Sequence, residues 1–204
     1  MHSHSYRVPD PFAHQVVVII GAKNSGGDIS REIASVAREV HMVNRSSPAA
    51  TCERLPSYHN LWLRSMVDRA EEDGSVVFRD GTSIKADVIM HCTGYKYSFP
   101  FLDDDDCSII SIDDNRIHPL YKHVFPPQAA PHLSFIGLPF KVVPFPLFQL
   151  QSNWVAGVLS GRLQLPSEKE MMEDVRALYS EIEAIGWPRR YTHCLKYNQN
   201  CVSV

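Results

Sequence analysis

The most constraining feature of the sequence is a run of five β-branched residues that ends at a glycine-rich turn. Residues 16–20 read Val-Val-Val-Ile-Ile, and Gly21 follows directly. A continuous apolar run of this length predicts a strand that is buried on both faces of a parallel sheet. Residues 25–37 then repeat apolar side chains at helical spacing, and residues 40–43, Val-His-Met-Val, follow as a second predicted strand. Together these segments predict a β-α-β unit and an α/β fold.

A glycine-rich turn joins the first predicted strand to the first predicted helix. It comprises Gly21, Ala22, Lys23, Asn24, Ser25 and Gly26. The spacing of Gly21 and Gly26 matches the first and third glycines of the G-x-G-x-x-G pattern, which brings backbone N–H groups up to a pyrophosphate. Lys23 replaces the middle glycine; its Cβ is expected to push the backbone away from the phosphates, and its ammonium group partly offsets this as a counter-charge. The pattern predicts a dinucleotide site; the alternative is a strand–helix turn that binds nothing.

The residues after the second predicted strand distinguish between the two nicotinamide cofactors. An NAD-binding protein places Asp or Glu there to accept hydrogen bonds from the ribose hydroxyls, whereas this chain has Asn44, Arg45 and Ser46. The Arg45 guanidinium is suited to the 2′-phosphate of NADP. The sequence therefore favours NADP over NAD; alternatively, Arg45 is a solvated surface charge.

The composition is that of a globular protein that binds small molecules. The chain has 204 residues, of which 44% are hydrophobic and 21% are charged, and its net charge is -3. Because the basic residues form no stripe, neither nucleic acid nor an anionic membrane is expected as a partner. The longest apolar run, residues 16–22, is too short to span a bilayer.

Five cysteines without a C-x-x-C pair disfavour a disulfide framework and a zinc site, and they indicate a reducing, cytoplasmic location.

Apolar spacing and turn residues predict the elements that follow this unit. They are a helix at residues 61–70, a hairpin at residues 76–84 with an Asp80-Gly81 turn, strands at residues 88–91 and 133–138, a helix at residues 148–159, and a helix that begins with a Ser167–Glu170 capping box and stops at Gly186. Residues 48–60 are expected to be irregular. A change to proline-rich sequence near residue 95 predicts a domain boundary, which separates residues 10–95 from residues 96–204.

Three other groups of residues suggest a functional interpretation, and each has a simpler structural one. His2, His4 and His14 lack an acidic or thiol partner at metal-ligand spacing, so no metal site is expected. Cys92 ends a buried strand without a base nearby in sequence, which favours a packed core thiol over a nucleophile. The run Asp103–Asp106 lacks the glycine and the spaced glutamate of a calcium loop, which favours a solvated surface loop.

Several motifs, in the same order along the chain, resemble those of the flavin-containing monooxygenases. The motifs are His2-Ser3-His4-Ser5-Tyr6-Arg7, the segment Gly21 to Arg45, His91-Cys92-Thr93-Gly94-Tyr95, and Phe135-Ile136-Gly137-Leu138-Pro139. The first is similar to the last part of that family's identifying motif, F-x-G-x-x-x-H-S-x-x-Y followed by Arg or Lys. The resemblance runs to about His193, and it points to the plant subgroup that S-oxygenates methylthioalkyl glucosinolates.

This resemblance implies both a fold and an activity. The fold is a Rossmann-like NADP-binding domain together with part of the returning FAD-binding domain of a two-dinucleotide-binding flavoprotein. In the family, NADPH reduces bound FAD, and the reduced flavin activates dioxygen to oxygenate a thioether sulfur to a sulfoxide. By the resemblance, residues 21–26 hold the NADP pyrophosphate, Arg45 holds the 2′-phosphate, and residues 93–95 link the two domains. It assigns no catalytic residue to this chain.

The sequence departs from the family pattern in its dinucleotide fingerprints. Gly21 opens the only one in the chain, whereas the family has an earlier fingerprint for FAD, whose equivalent would precede Met1. Two alternatives to an active monooxygenase therefore remain: an NADP-binding module without redox turnover, and an interaction module that pairs with a full-length homologue. Since residues 96–204 would lack the strands with which the family pairs them, exposed apolar surface and open sheet edges are expected.

Overall fold

The chain divides into two units, Met1–Tyr95 and Lys96–Val204, and the computed structural model describes residues 1–102 and 109–195 of it. The predicted α/β class is confirmed, because a mixed sheet and a covering helix form the first unit. The acidic run Asp103–Asp106 lies outside the described residues. No helix in the described ranges is both long and apolar enough to cross a membrane.

The first unit contains a five-stranded sheet, a three-stranded sheet and one long helix. In chain order its elements are β1 (Val16–Ile20), α1 (Asn24–Ala34), β2 (Glu39–Val43), β3 (Cys52–Arg54), β4 (Leu61–Arg64), β5 (Val67–Ala70), β6 (Ser75–Phe78), β7 (Ser83–Lys85) and β8 (Val88–His91). The larger sheet has the order β3-β4-β2-β1-β8; β1 is parallel to β2 and β8, β2 is parallel to β4, and β3 is antiparallel to β4. The smaller sheet, in the order β5-β6-β7, is antiparallel.

β1 lies inside the larger sheet, as its apolar sequence predicts. Val17, Val18 and Ile19 are fully buried, and β2 and β8 pair with β1 on its two sides. A parallel strand that is covered on both faces needs apolar side chains on both. On one face Val17 and Ile19 share a core cluster with Ile33 of α1, and on the other Val18 shares a cluster with Phe78 of β6.

Residues 61–70 form two strands, so the helix predicted in this range is wrong. Leu61–Arg64 pairs in parallel with β2, and Val67–Ala70 pairs antiparallel with β6. The apolar residues of this short segment fit a helix or a strand equally well. The strand forms because the edge of β2 supplies backbone partners that are distant in sequence. Within residues 48–60, which were expected to be irregular, Cys52–Arg54 pairs with β4 as a short strand.

The hairpin predicted around Asp80-Gly81 and the strand predicted at residues 88–91 are confirmed. β6 and β7 pair antiparallel, Gly81 has a φ of 81°, and the Asp80 carboxylate accepts a hydrogen bond from the Thr82 N–H at 2.9 Å. Glycine adopts a positive φ without steric cost, so this turn closes without strain. β8 forms one end of the larger sheet, and a parallel bridge joins His2 to His91 on its outer side.

The second unit contains two short strands and two long helices among its described residues. They are β9 (Ser111–Asp113), β10 (Arg116–His118), α2 (Pro144–Leu159) and α3 (Glu168–Ala184). The helix predicted at residues 148–159 is confirmed, although it begins earlier, with Pro144 at a position where a missing N–H is tolerated. The capping box of α3 is also confirmed, since Ser167 and Glu170 each accept the other's backbone N–H, and Gly186 follows the helix with a φ of 69°.

Residues 133–138 form no strand, which corrects the sequence prediction. The Phe135 N–H donates to the Val124 carbonyl at 2.8 Å, and the Gly137 N–H donates to the Gln151 side chain at 3.0 Å. These bonds go to a loop and to a helix, so the segment joins no strand ladder within the described chain. Phe135 and Leu138 are nevertheless buried together in a core cluster of this unit, which accounts for their apolar character.

Candidate functional site

The carboxyl ends of β1, β2 and β8 meet at one edge of the five-stranded sheet. Because these strands are parallel neighbours, the residues that follow them, Gly21, Asn44 and Cys92, lie side by side. The Gly21 N–H donates to the Val43 carbonyl at 2.9 Å, and the Cys92 N–H donates to the Ile20 carbonyl at 2.8 Å. β2 follows β1 on one side and β8 lies on the other, so the strand order reverses here. Open α/β sheets bind ligands at such a point.

Gly21 and Gly26 form a glycine cradle at this edge, because neither position has room for a Cβ atom. Gly21 has a φ of 114°, and a Cβ added to it would overlap the carbonyl oxygen of Cys92. A Cβ on Gly26 would overlap the carbonyl oxygen of Gly21 and would lie 3.5 Å from the Cβ of Cys92. The positive φ and the close backbone approach both require glycine. The first turn of α1 is therefore held directly against the ends of β1 and β8.

The remaining residues of the turn form the entry to α1. Ala22 is half-buried, Lys23 occupies the N-cap position, and Asn24 and Ser25 are exposed in the first turn. The Lys23 backbone has a φ of -91°, which suits any residue, so the turn forms without a middle glycine. The first amides of a helix have no partners within it, and the first turn of α1 carries no acidic residue. With the helix dipole, these amides make the turn suited to an anion such as a diphosphate.

Arg45 lies at the same edge, in the turn that follows β2. The Asn44 side chain accepts a hydrogen bond from the Ser46 N–H at 3.1 Å, and the Ser47 N–H donates to the Asn44 carbonyl at 3.1 Å. These two bonds shape the turn, and Arg45 is exposed within it. Because β1 and β2 are directly paired, the turns that follow them start only about 5 Å apart. The fold thus brings the arginine and the glycine cradle to one side of the sheet.

Cys92 supports the cradle as a packed thiol, as the sequence predicted. It is 9% exposed and belongs to the main core cluster of the first unit. Burial raises the pKa of the Cys92 thiol, and a hydrogen bond with Ser3 lowers it by a smaller amount. A thiol with a raised pKa is a poor nucleophile. Its role here is to pack beneath Gly21 and Gly26.

The amino-terminal segment reaches the same edge, which sequence spacing alone did not reveal. The Met1 carbonyl accepts a hydrogen bond from the His91 N–H at 2.9 Å, and the His4 ring lies 3.3 Å from the Tyr95 hydroxyl. In the sequence, the only indication that the two segments lie together was that both carry motifs resembling the same family. In the part of the chain that the structure describes, no cluster of three or more His, Cys, Asp or Glu side chains is arranged to hold a metal ion.

The sequence matches the family model described as flavin-binding monooxygenase-like, over residues 1–55 and 53–198. These ranges contain the glycine cradle, Arg45 and most of the second unit. The chain belongs to the flavin-binding monooxygenase-like family. Proteins of this family use FAD and NADPH as cofactors. The resemblance inferred from the sequence motifs is therefore confirmed.

Plant monooxygenases are among the similar proteins of this family. Flavin-containing monooxygenase FMO GS-OX-like 2 of Arabidopsis thaliana is 60% identical over 195 residues, which make up 96% of this chain and 42% of that protein. Flavin-containing monooxygenase FMO GS-OX5 of the same plant is 57% identical over 195 residues, with the same shares of the two chains. The chain therefore spans less than half the length of these relatives.

Solved structures support the same assignment. S-allyl-L-cysteine S-oxygenase from Allium sativum superposes with a TM-score of 0.90 and 59% identity, over 98% of this chain and 45% of that one. Tmm from Pelagibacter superposes with a TM-score of 0.76 and 28% identity, over 90% of this chain and 40% of that one. The expected fold, that of a two-dinucleotide-binding flavoprotein, is thereby confirmed.

Proposed function

We propose that this chain is the NADPH-binding part of a flavin-dependent monooxygenase that oxygenates thioethers to sulfoxides. Methylthioalkyl glucosinolates are the substrate class that we propose first, because relatives at 57–60% identity carry the GS-OX designation. The Allium relative is named for the S-oxygenation of another small sulfur compound, S-allyl-L-cysteine. The Arabidopsis relatives and the Allium enzyme therefore favour a soft sulfur nucleophile as the atom that is oxidised.

The observation that carries this proposal is the contact between Gly26 and the carbonyl oxygen of Gly21. It holds the first turn of α1, whose leading amides have no partner within the helix, at the point where the strand order reverses. In our proposal residues 21–26 hold the NADP pyrophosphate through the amides at the entry to α1, while the Gly21 N–H stays bonded to the Val43 carbonyl, and the Arg45 guanidinium binds the 2′-phosphate. Residues 10–95 then form the NADP-binding domain, and residues 96–204 form part of the FAD-binding domain.

The protein's contribution to such a reaction is to bind and orient the dinucleotide. Flavin, when bound, supplies the activation of dioxygen, which amino-acid side chains do not provide. Within residues 1–102 and 109–195 we find one glycine cradle between a strand and a helix, and we assign it to NADPH. The described residues offer no second cradle that fits FAD, so we derive no catalytic step through the flavin and assign no catalytic residue.

An NADP-binding module without redox turnover is the second candidate function. The observation that favours it is that the described residues hold one glycine cradle between a strand and a helix, which we assign to NADPH. An interaction module that pairs with a full-length homologue is a variant of the same idea. We also propose a cytoplasmic location, which the cysteine pattern supports, and a fluorescent fusion followed by microscopy tests it.

Calorimetry and absorption spectroscopy on the purified chain separate these candidates. We expect NADPH to bind at least ten times more tightly than NADH, because NADH lacks the 2′-phosphate that Arg45 would bind. A flavin absorption band, with NADPH consumption on addition of a simple thioether, would support an active monooxygenase. Colourless protein that binds NADPH without turnover would support the binding module. Folded protein that produces no heat with NADPH would remove the cofactor assignment.

A further inference from the structure

Cys52 lies at the outer edge of the larger sheet, near the turn that carries Arg45. It opens β3, which runs antiparallel to β4, so the thiol is placed at the carboxyl end of β4. Across the sheet Cys52 pairs with Arg64, and Arg64 pairs with Val43 at the end of β2. Because neighbouring strands are about 5 Å apart, Cys52 is about 10 Å from the end of β2. The thiol is exposed at this edge.

A buried guanidinium contacts this exposed sulfur. The Nη1 of Arg64 donates to the Sγ of Cys52 at 2.6 Å. The Arg64 side chain is only 7% exposed, and its Cζ lies 4.1 Å from the centre of the Phe78 ring. Its Nη2 donates to the Thr82 hydroxyl. These contacts hold the guanidinium against the inner side of a thiol whose outer side is open to solvent.

The positive charge of Arg64 is incompletely paired. Its Nε has no hydrogen-bond partner among the described residues. The Asp80 carboxylate lies 3.9 Å from Nη2, and it accepts hydrogen bonds from the N–H and the hydroxyl of Thr82 instead. A buried cation is destabilising unless negative charge and hydrogen-bond acceptors surround it. The Cys52 sulfur is therefore placed to supply the missing negative charge as a thiolate.

Exposed arginines extend the positive charge around the thiol. Side chains alternate between the two faces of a strand, so Arg54 lies on the same face of β3 as Cys52, and Glu53 lies on the other. Arg54 is exposed, and so is Arg45 in the turn after β2. Guanidinium groups on both sides of an exposed sulfur favour a reagent that carries negative charge.

We propose that Cys52 is a site of reversible S-thiolation by small disulfides that carry carboxylates. The attacking form of a cysteine is the thiolate, which an adjacent guanidinium stabilises. The Cys52 sulfur attacks one sulfur of the disulfide, and the original S–S bond breaks as the new one forms. The other half leaves as a thiolate and takes up the proton that Cys52 has lost. The disulfide itself is the oxidant, and an excess of thiol reverses the exchange.

The adduct would close the Arg45 side of the edge to NADPH. A tripeptide disulfide such as glutathione disulfide leaves a tripeptide on Cys52, which reaches about 10 Å when extended. That length spans the two strand spacings to the end of β2, so its carboxylates can compete with the 2′-phosphate for Arg45. This consequence rests on the proposed NADPH site, whereas the thiolation of Cys52 does not.

Two disulfides of opposite charge test the site on the wild-type chain. Glutathione disulfide is anionic and cystamine is cationic, and peptide mass spectrometry measures the rate at which each modifies Cys52. We expect the ratio of the two rates to be at least fivefold higher in the folded chain than in urea. Added salt should lower the ratio in the folded chain, because it screens the guanidinium groups. The same ratio in folded and unfolded protein would overturn the inference.

Substitution of the arginines tests the source of the reactivity. Arg64→Gln should slow the reaction with glutathione disulfide at least tenfold, whereas Arg64→Lys keeps a cation and should retain most of the rate. Arg54→Gln removes an exposed charge without disturbing the core and should also slow the reaction. The control is Arg38→Gln, an exposed arginine near the opposite end of β2, which should leave the rate unchanged.

Circular dichroism shows whether Arg64→Gln folds. If it does not, Arg54→Gln and the salt dependence carry the test. A folded Arg64→Gln variant that reacts at the wild-type rate would contradict the role of the buried guanidinium. So would an Arg54→Gln variant that reacts as fast as the Arg38→Gln control.

Calorimetry with NADPH before and after thiolation tests the consequence. We expect the adduct to weaken NADPH binding at least tenfold and dithiothreitol to restore it. Cys52→Ser should bind NADPH like the wild type and should not respond to glutathione disulfide. Full NADPH affinity in the thiolated chain would overturn the proposed closure. An unmodified folded chain that produces no heat with NADPH would remove the proposed function and the closure together, whereas the thiolation rates are measured without NADPH.

Discussion

Gly26 packs so closely against the carbonyl oxygen of Gly21 that no side chain fits between them. This contact holds the start of α1 against the end of β1, and the Cβ of Cys92 lies 3.5 Å from the Cβ position of each glycine. A single atom added at position 26 must therefore open the turn. The residue that follows, Gly27, has no heavy atom within 4 Å of its Cβ position, although it lies in the same helical turn.

Gly26→Ala should weaken both the fold and NADPH binding. The added methyl group overlaps backbone rather than a flexible side chain, and overpacking of this kind costs about 1–3 kcal/mol of unfolding free energy. We expect NADPH affinity to fall at least tenfold, because the displaced amides no longer converge on the pyrophosphate. Urea unfolding and calorimetry measure the two effects.

Gly27→Ala is the matched control for this substitution. Alanine in a helix interior is more stable than glycine by about 0.5–1 kcal/mol, and open space surrounds this position. The control should therefore be neutral or stabilising, with NADPH affinity unchanged. Equal losses in the two variants would contradict the argument from the Gly26–Gly21 contact.

Arg45→Ala should reduce the preference for NADPH over NADH. A charge-assisted hydrogen bond contributes about 1.5–3 kcal/mol, which corresponds to a loss of about 10- to 100-fold in NADPH affinity. Binding of NADH should change little, because NADH has no 2′-phosphate. Arg31→Ala removes another exposed arginine, whose partner is Asp28 at 3.5 Å, and should alter neither affinity. If Arg45→Ala weakens both cofactors equally, Arg45 does not bind the 2′-phosphate.

The protein should lose stability in mild acid because of two buried histidines in the second unit. The Nε2 of His193 lies 3.1 Å from the Ile117 carbonyl and must donate to it, so its Nδ1 accepts from the Nδ1–H of His123 at 3.1 Å. This arrangement needs the Nδ1 of His193 to be unprotonated, and therefore a neutral His193 ring. Burial and, to a smaller extent, the Lys122 charge lower the pKa of His123 to about 4. Burial and, to a smaller extent, His123 lower the pKa of His193 to about 3.

The direction of the pH effect follows from these two pKa values. The unfolded chain protonates both histidines near pH 6.5, whereas the folded chain does not until about pH 3–4, so the unfolded state binds more protons between these limits. The contribution is fully present above pH 6.5 and is lost as the pH falls below it, by up to about 1.4 kcal/mol per pH unit for each histidine.

Urea unfolding between pH 4 and pH 7 measures this slope. His123→Gln, which cannot take up a proton, should flatten it even if the variant is less stable overall. The exposed His132 offers the comparison, since His132→Gln should leave the slope intact. A wild-type slope that His123→Gln does not alter would count against the buried pair as its source.

The cysteines of the described chain should differ in their rate of alkylation. Cys52 is exposed on β3, whereas Cys92 and Cys194 are buried, and burial raises the pKa of the Cys92 thiol. Brief treatment with a maleimide, followed by peptide mass spectrometry, should label Cys52 first and label Cys92 and Cys194 only after unfolding. Labelling of Cys92 as fast as Cys52 would require an open path to the glycine cradle.

The local sequence was sufficient to predict those elements whose structure depends only on their own residues. The turn at residues 21–26 follows from the change from an apolar run to helical spacing at Gly21. The start of α3 follows from the pairing of Ser167 with Glu170. These features depend on backbone geometry within a few residues, so the printed sequence contains the information they need.

Elements that depend on a distant partner were not predictable in the same way. Residues 61–70 became strands because β2 and β6 offered them edges, and residues 133–138 remained outside any sheet because no strand lies beside them in the described chain. The same apolar residues satisfy either outcome. A strand forms only when a second strand pairs with it, and the sequence of one strand does not show where its partner lies.

The sequence by itself determined the β-α-β unit, the glycine cradle and the family to which the chain belongs, because each is encoded in residues that are near one another or in motifs read in order. Only the tertiary structure decided that Arg45 and the glycine cradle share one edge of the sheet, that Cys92 packs beneath Gly26, and that the Arg64 guanidinium contacts the Cys52 thiol. These relationships arise when parallel strands pair and side chains compete for a common core, and both processes join residues that are far apart in the chain.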